Sequence, residues 1–404
     1  MVDPTVDVAT LLEALVNPNL HILRIVYLRE CFTSPSFDIL RLKAPRLQKL
    51  QVKLAKLGGS SAGAAANRSL LSLIPNFSLL TTLLYIDTIL PTTVIVHLGT
   101  LPHLKVLNAA LGSGSTSTLA EQRTLFPKLR RLWLAAIDAA DVADLLEAIS
   151  STSLESLYFV VKVQPKSTLF GRCLDLAARH PQLSQLNIHY SREVRVRTNL
   201  TLEYIVDSVA LQPLLKLPHL TNLGLRDTPL QLNDDFIHSL ATSASQLREL
   251  VLGTSVRQRT SGLTMEGLKP LALHCPKLYL LAMTFATPPA RESTLKSKLN
   301  WVFDRHQQHA VTDGEEGRST SLRFLDIGSS RIQDPEAVAA FVTRYFPNVQ
   351  EISDLWDLFL SHKNIGKLNR LIRKWGQGGV QEYVKYHSRP LAEVLFSETA
   401  PLMN

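Results

Sequence analysis

Five side chains of the types that anchor protein contacts recur along a repeated phrase: Arg131, Trp133, Tyr158, His189 and Arg226. Trp, Tyr and Arg are enriched at the energetic centres of protein interfaces. Trp133 and Tyr158 occupy the same position in neighbouring copies, and parallel strands about 4.8 Å apart would bring their rings side by side. We therefore expect a partner-binding patch on the concave face of a curved sheet. The alternative is that the rings pack on neighbours or beneath a loop, as scattered exposed aromatics often do.

Motifs for catalysis or metal binding are absent from the sequence. It has no phosphate-binding loop, no His-Glu-x-x-His and no Gly-x-Ser-x-Gly. The three cysteines are far apart and form no Cys-x-x-Cys pair, so neither a disulfide framework nor a zinc site is indicated. We expect Cys275 to be a buried thiol and the histidines that flank repeat leucines, such as His180, to lie at the surface or in turns. The sequence thus predicts no enzyme activity, no cofactor and no metal.

The net charge of +8 is concentrated near the C-terminus. Residues 361–390 hold seven Lys or Arg and one Glu, which leaves about +2 for the other residues. A nucleic-acid-binding scaffold would spread its cations along the binding face, so we expect no nucleic-acid partner. Lys367, Arg370, Arg373 and Lys374 alternate there with apolar residues at helical spacing. This segment is either a helix that caps the last repeat or a basic amphipathic helix for an acidic membrane surface or partner; we favour the cap.

The cellular compartment is predicted from the lack of membrane-spanning and signal segments. No run of eighteen apolar residues occurs, and the acidic N-terminus has no positively charged signal region. With few cysteines, this predicts a cytoplasmic or nuclear protein. We expect a monomer that does not act at membranes.

The repeated phrase is Leu-x-x-Leu-x-apolar, often preceded by Pro, and it predicts the architecture. Its last two apolar positions are two residues apart, which places them on one side of a short strand. Polar stretches and amphipathic helical patterns follow, as at residues 141–149 and 233–240. We predict a right-handed α/β solenoid with a parallel sheet on the concave face and helices on the convex face. The twelve first-leucine anchors are Leu20, Leu47, Leu80, Leu104, Leu129, Leu154, Leu183, Leu220, Leu247, Leu278, Leu322 and Val349.

Three parts of the chain are distinguished. Residues 1–17 are an N-terminal helical start, residues 18–355 are the repeat array with a loop insertion at 286–321, and residues 356–404 are a basic capping helix and tail.

Residues 263–278 resemble the cysteine-containing leucine-rich repeat of fungal F-box/LRR proteins, most clearly in the ending His274-Cys275-Pro276-Lys277-Leu278. The resemblance implies a ribonuclease-inhibitor-like array that recognises ubiquitin-ligase substrates on its concave face, with a Skp adaptor and cullin as partners. The N-terminal F-box module of that family is not visible before Leu20, where only one short helix is predicted. A ligase-independent array of the GTPase-regulating or immune type, and a membrane-surface adaptor acting through the basic tail, therefore stay open as alternatives.

Overall fold

The structure is a computed structural model, and it describes most of the repeat array. The described residues are 8–28, 34–54, 68–114, 116, 119, 124–190, 202–253, 262–287, 319, 321–328, 330, 332–349, 351–353, 368–370 and 372. Most of the predicted insertion at 286–321 and most of the basic tail lie outside these ranges.

Strands that follow the repeated phrase build a single large parallel sheet. Within the described ranges it has twelve strands in the order β1-β2-β3-β4-β5-β6-β7-β9-β11-β12-β13-β14, and β10 and β8 form a separate parallel pair. Each predicted anchor lies two residues before one of the twelve strands. The strands are β1 (Ile22–Leu28), β2 (Lys49–Leu54), β3 (Thr82–Leu90), β4 (Val106–Leu111), β5 (Arg131–Ala136), β6 (Ser156–Val161), β7 (Gln185–Tyr190), β8 (Val206–Asp207), β9 (Asn222–Arg226), β10 (Leu230–Gln231), β11 (Glu249–Leu252), β12 (Leu280–Met283), β13 (Phe324–Asp326) and β14 (Glu351–Ser353).

Helices connect the strands and cover one face of the sheet. The α-helices are α1 (Val8–Leu15), α2 (Ser34–Lys43), α3 (Thr92–Thr100), α4 (Ala139–Ala148), α5 (Ser167–Ala177), α6 (Asp234–Ser243), α7 (Lys269–His274) and α8 (Pro335–Tyr345). Short 3₁₀ helices span Ile74–Asn76, Leu202–Tyr204, Gln212–Lys216 and Glu266–Leu268. The predicted Asn/Asp cap of α6 is confirmed, because the Phe236 N–H donates to Asn233 Oδ1 at 2.9 Å. Pro270 lies in the first turn of α7, where it costs no helical hydrogen bond.

The core follows from the period-two pattern of the strands. Leu132 and Leu134 of β5 are buried, whereas Arg131 and Ala135 are exposed and Trp133 is half-buried. Register then aligns the leucines from strand to strand, since Leu132 pairs with Leu107 on β4 and with Leu157 on β6. The buried leucines join one continuous core with the helices. The predicted α/β leucine-rich repeat solenoid is thereby confirmed.

A recurrent turn precedes the strands and explains the Pro of the phrase. In X-Pro-x-Leu the leucine N–H donates to the carbonyl of X, as from Leu278 to Cys275 at 3.1 Å and from Leu183 to His180 at 3.0 Å. Pro is favoured at the second position of such a turn because its ring fixes φ near −65°. Residue X is the exposed Asn17 in the first repeat and is buried in the other eleven, where the column comprises Ala44, Phe77, Leu101, Phe126, Ser151, His180, Leu217, Ala244, Cys275, Ser319 and Phe346.

Candidate functional site

The candidate site is the open face of the sheet, meaning the side chains of β2–β9 that point away from the core. Successive strands hold these side chains in register, so Trp133 on β5 lies beside Tyr158 on β6, and Tyr158 beside Asn187 on β7. From β11 onward the corresponding positions, Val251 and Ala282, are only 3% exposed. The accessible part of this face therefore ends near β9.

Trp133 and Tyr158 are brought together as the sequence predicted. Both are half-buried, so each ring combines contact with its neighbours and an accessible surface. Burial raises the pKa of Tyr158 to about 12, and the positive charge of Arg226 opposes part of that shift. Tyr158 thus remains a neutral phenol that can donate a hydrogen bond throughout the physiological range.

His189 and Arg226 pair in register on β7 and β9. His189 Nε2 lies 2.7 Å from Oδ2 of Asp227, a carboxylate that is 8% exposed. Asp227 follows β9 with a left-handed φ of 56°, a conformation that Asp tolerates better than most residues and that turns its side chain back over the sheet. Sequence reasoning missed Asp227, because its role depends on a contact 38 residues away.

Gly224 leaves room for Asn187 beside this cluster. A Cβ at Gly224 would lie 2.3 Å from Asn187 Oδ1 and 3.9 Å from Arg226 Nε. The Asn187 amide therefore lies over the glycine, toward Arg226. The guanidinium, the amide and the Tyr158 hydroxyl form a group of hydrogen-bond donors beside the two rings.

Arg131 lies apart from that group. It pairs with Val106 on β4 and Ser156 on β6, at the start of β5. Three strand spacings of about 4.8 Å separate β5 from β9, or roughly 14 Å. The five predicted residues thus lie on one face, with Arg131 at one end and His189 and Arg226 at the other. Their binding role stays a prediction.

Four exposed cations at the starts of β4 and β5 were not singled out by the sequence analysis as a group. We call Lys105, Lys128, Arg130 and Arg131 the basic rim. Arg130 has an acidic neighbour, Glu155, at 3.6 Å with both side chains largely exposed. Their common signal was present in the sequence, since the positions around the first leucine of the phrase hold Lys128, Arg130 and Arg131. The net charge of about +2 outside residues 361–390 does not reveal this local excess of cations.

Two buried polar side chains, Cys275 and His180, contact backbone carbonyls of the preceding repeat. Sγ of Cys275 lies 3.6 Å from the carbonyl of Ala241 in the preceding repeat, and burial raises the pKa of that thiol to about 12. The expectation that His180 lies at the surface or in a turn holds for the turn and not for the surface, because its side chain is 4% exposed. Its Nδ1 lies 2.9 Å from the Ser151 carbonyl, in the same column of the preceding repeat. The reason is that position X of the turn points inward.

The described part of the C-terminal segment packs on the last repeat. Leu368 and Ile372 are buried within the core cluster. The Asn369 side chain accepts a hydrogen bond from Ile352 N–H and donates one to Ile352 C=O, both at 2.9 Å. This amide occupies the outer edge of β14 as a further strand would. Arg370 is exposed, and Lys367, Arg373 and Lys374 lie outside the described residues.

In the described ranges no group of three or more His, Cys, Asp or Glu side chains could hold a metal ion. No helix in those ranges is long and apolar enough to cross a lipid bilayer.

Comparisons with known proteins show no family for this chain. No protein-family model matches the chain, and no curated protein matches its sequence. Solved structures do match, among them the crystal structure of the Rad7 and Elc1 complex in yeast, at 15% sequence identity and a TM-score of 0.43. That match covers 88% of this chain and 81% of the other chain.

Proposed function

We propose that the chain recognises a protein partner through the open face of its sheet and does no covalent chemistry itself. The observation that carries this proposal is the row of Trp133, Tyr158 and Asn187, held in register on an accessible sheet face whose other side is the core. Aromatic rings with adjoining donors suit a polypeptide, since they offer apolar contact and hydrogen bonds together.

The size of the face suits a protein better than a small molecule. Seven strands from β2 to β9 span about 29 Å at 4.8 Å per step, and six residues of strand span about 20 Å. The resulting area of about 600 Å² approaches the ~800 Å² that each partner contributes to a stable interface. A shallow depression of about 610 Å³ lies instead on the helix side. Arg172 at its wall is paired with Glu147 at 2.7 Å, so this depression holds internal ion pairs.

The test is capture of partners from the source cell by the tagged full chain and by face variants. Ala135→Arg adds bulk at an exposed position between Ala110 and Val160 without touching the core. Trp133→Ser removes a ring from the centre of the face, and retained Tm shows that it still folds. The control is Leu273→Ser, which removes an exposed apolar side chain on helix α7.

A set of proteins captured by the wild type and the control, but lost with Ala135→Arg, supports the proposal. Capture that is unchanged by both face variants contradicts it.

We further propose, on the F-box/LRR resemblance of residues 263–278, that the bound protein is a ubiquitin-ligase substrate. A Skp adaptor and a cullin would then join the captured set. Ala135→Arg would leave them bound, because in that family the adaptor contacts the F-box module and not the open face of the repeats. Partners that bind without adaptor or cullin would leave a ligase-independent scaffold.

A further inference from the structure

The cations of the basic rim are concentrated where two repeats meet. Lys105 lies just before β4, and Arg130 and Arg131 lie at the start of β5, one strand spacing of about 4.8 Å away. Lys128 lies in the turn that leads into β5. All four side chains are exposed. Only Glu155 partners the rim among the contacts described above, so the rim carries a local charge of about +3.

The neighbouring part of the open face offers no carboxylate to offset this charge. Strands β4, β5, β6, β7 and β9 contain no Asp or Glu in their spans. The nearest carboxylate at the far end is Asp227, which is 8% exposed and contacts His189. A positively charged edge thus leads directly to Trp133, two residues along β5 from Arg131.

The interruption of the rim favours a protein over a nucleic acid. A nucleic-acid surface needs cations that follow the phosphate backbone over its whole length. Here the starts of β6, β7 and β9 hold Glu155, Gln185 and Asn222 in place of cations, and among the described strand starts that follow, exposed cations recur only before β11 and β13, at Arg248 and Arg323. The face beyond the rim is aromatic and aliphatic, with Trp133 and Tyr158 as its largest groups.

We propose that the partner docks through an acidic polypeptide segment, whose Asp or Glu side chains lie on the basic rim and whose apolar side chains continue onto Trp133 and Tyr158. This inference rests on the proposed function and adds the chemistry of the partner. The cations would speed and orient the encounter, while the rings would supply most of the burial.

The experiment is selection of a displayed random 12-residue peptide library on the purified full chain, followed by affinity measurements on the enriched peptides. The rim variant is Lys105→Glu with Lys128→Glu, two exposed positions where substitution costs little stability. The matched control is Lys166→Glu with Lys216→Glu, which makes the same charge change away from the sheet. Those lysines are 60% and 68% exposed and form only surface ion pairs.

Enrichment of acidic peptides, with binding at least tenfold weaker for the rim variant and unchanged for the control, supports the proposal. Peptides that lose binding with Trp133→Ser but show no acidic excess and tolerate the rim variant overturn it while preserving the proposed function. Peptides that are insensitive to both variants, or no enrichment, overturn the acidic-peptide proposal, and the capture experiment with the face variants then decides the proposed function separately. A 20-nucleotide oligothymidylate that binds more tightly than the enriched peptides, and loses that binding in the rim variant, overturns the acidic-peptide proposal in favour of nucleic acid.

Discussion

Acidification should unfold the array partly through His180. The imidazole is 4% exposed, and its Nδ1 donates to the Ser151 carbonyl at 2.9 Å. Burial lowers its pKa, and the charge of Arg179 adds to that effect, while the hydrogen bond to Ser151 opposes it. The unfolded chain, with an imidazole pKa of about 6.5, therefore binds a proton before the folded chain does.

The direction and size of the change in unfolding free energy follow from the different proton binding of the folded and unfolded chains. A lowered pKa in the folded state means that the contribution of His180 is complete above pH 6.5 and is lost as the pH falls through that value. If the folded imidazole stays neutral, moving from pH 7.5 to pH 5.5 costs about 1.4 kcal/mol. Other titrating groups add their own losses, so a matched variant is needed to isolate this one.

His180→Cys supplies that variant, because Cys275 fills the same column position in another repeat. Urea unfolding at pH 7.5 and 5.5 should show that wild type loses up to about 1.4 kcal/mol more on acidification than the variant does. The variant itself should be less stable at pH 7.5 because it leaves a small cavity. Equal acid sensitivity of the two chains would refute the assignment of His180 as a buried neutral imidazole.

Three further outcomes are expected from other parts of the array. Asn369→Leu should cost about 2–5 kcal/mol in urea unfolding, because it leaves the buried N–H and C=O of Ile352 without partners; a cost below 0.5 kcal/mol would contradict its capping role. Native Cys275 should resist alkylation at pH 8 and react after unfolding, since its pKa is raised to about 12; fast native labelling by mass spectrometry would contradict burial. Gly99→Ala should lower the Tm, because the alanine Cβ would lie 2.8 Å from the buried Leu125. Gly171→Ala has contacts only at 3.7 Å and should be neutral or stabilising by up to about 1 kcal/mol. A lower Tm for Gly171→Ala than for Gly99→Ala would contradict the packing of these helices.

The strands, and the face of the sheet on which each side chain lies, were predictable because the alternation of apolar and polar residues is visible within each strand. The leucines at 132 and 134 fixed which side of β5 enters the core, and so placed Trp133 and Arg131 on the other side. The match of Trp133 with Tyr158 then required only that neighbouring repeats keep the same register, which they do.

Features that depend on contacts between repeats were not predictable in the same way. The hydrogen bond of His180 depends on the Ser151 carbonyl 29 residues earlier. Its place before Pro181 matches that of Cys275, but a histidine at that position is not apolar and so was not expected to be buried. Asn369 likewise resembles any polar residue in a basic helix until Ile352 is found beside it. The basic rim escaped notice because charge was summed along the chain, whereas the fold gathers Lys105 and Arg131 from successive repeats.

Site-specific photo-crosslinking at Ala135 tests the central claim most directly. Ala135 is exposed on β5, next to the residue pair Trp133 and Tyr158, so a benzoylphenylalanine there would lie within the proposed interface. In the source cell it should form a covalent adduct with a partner protein, while the same probe at Leu273 on the helix side should not form that adduct. The same adduct at Leu273 and none at Ala135 would show that the partner binds elsewhere and would contradict recognition through the open face.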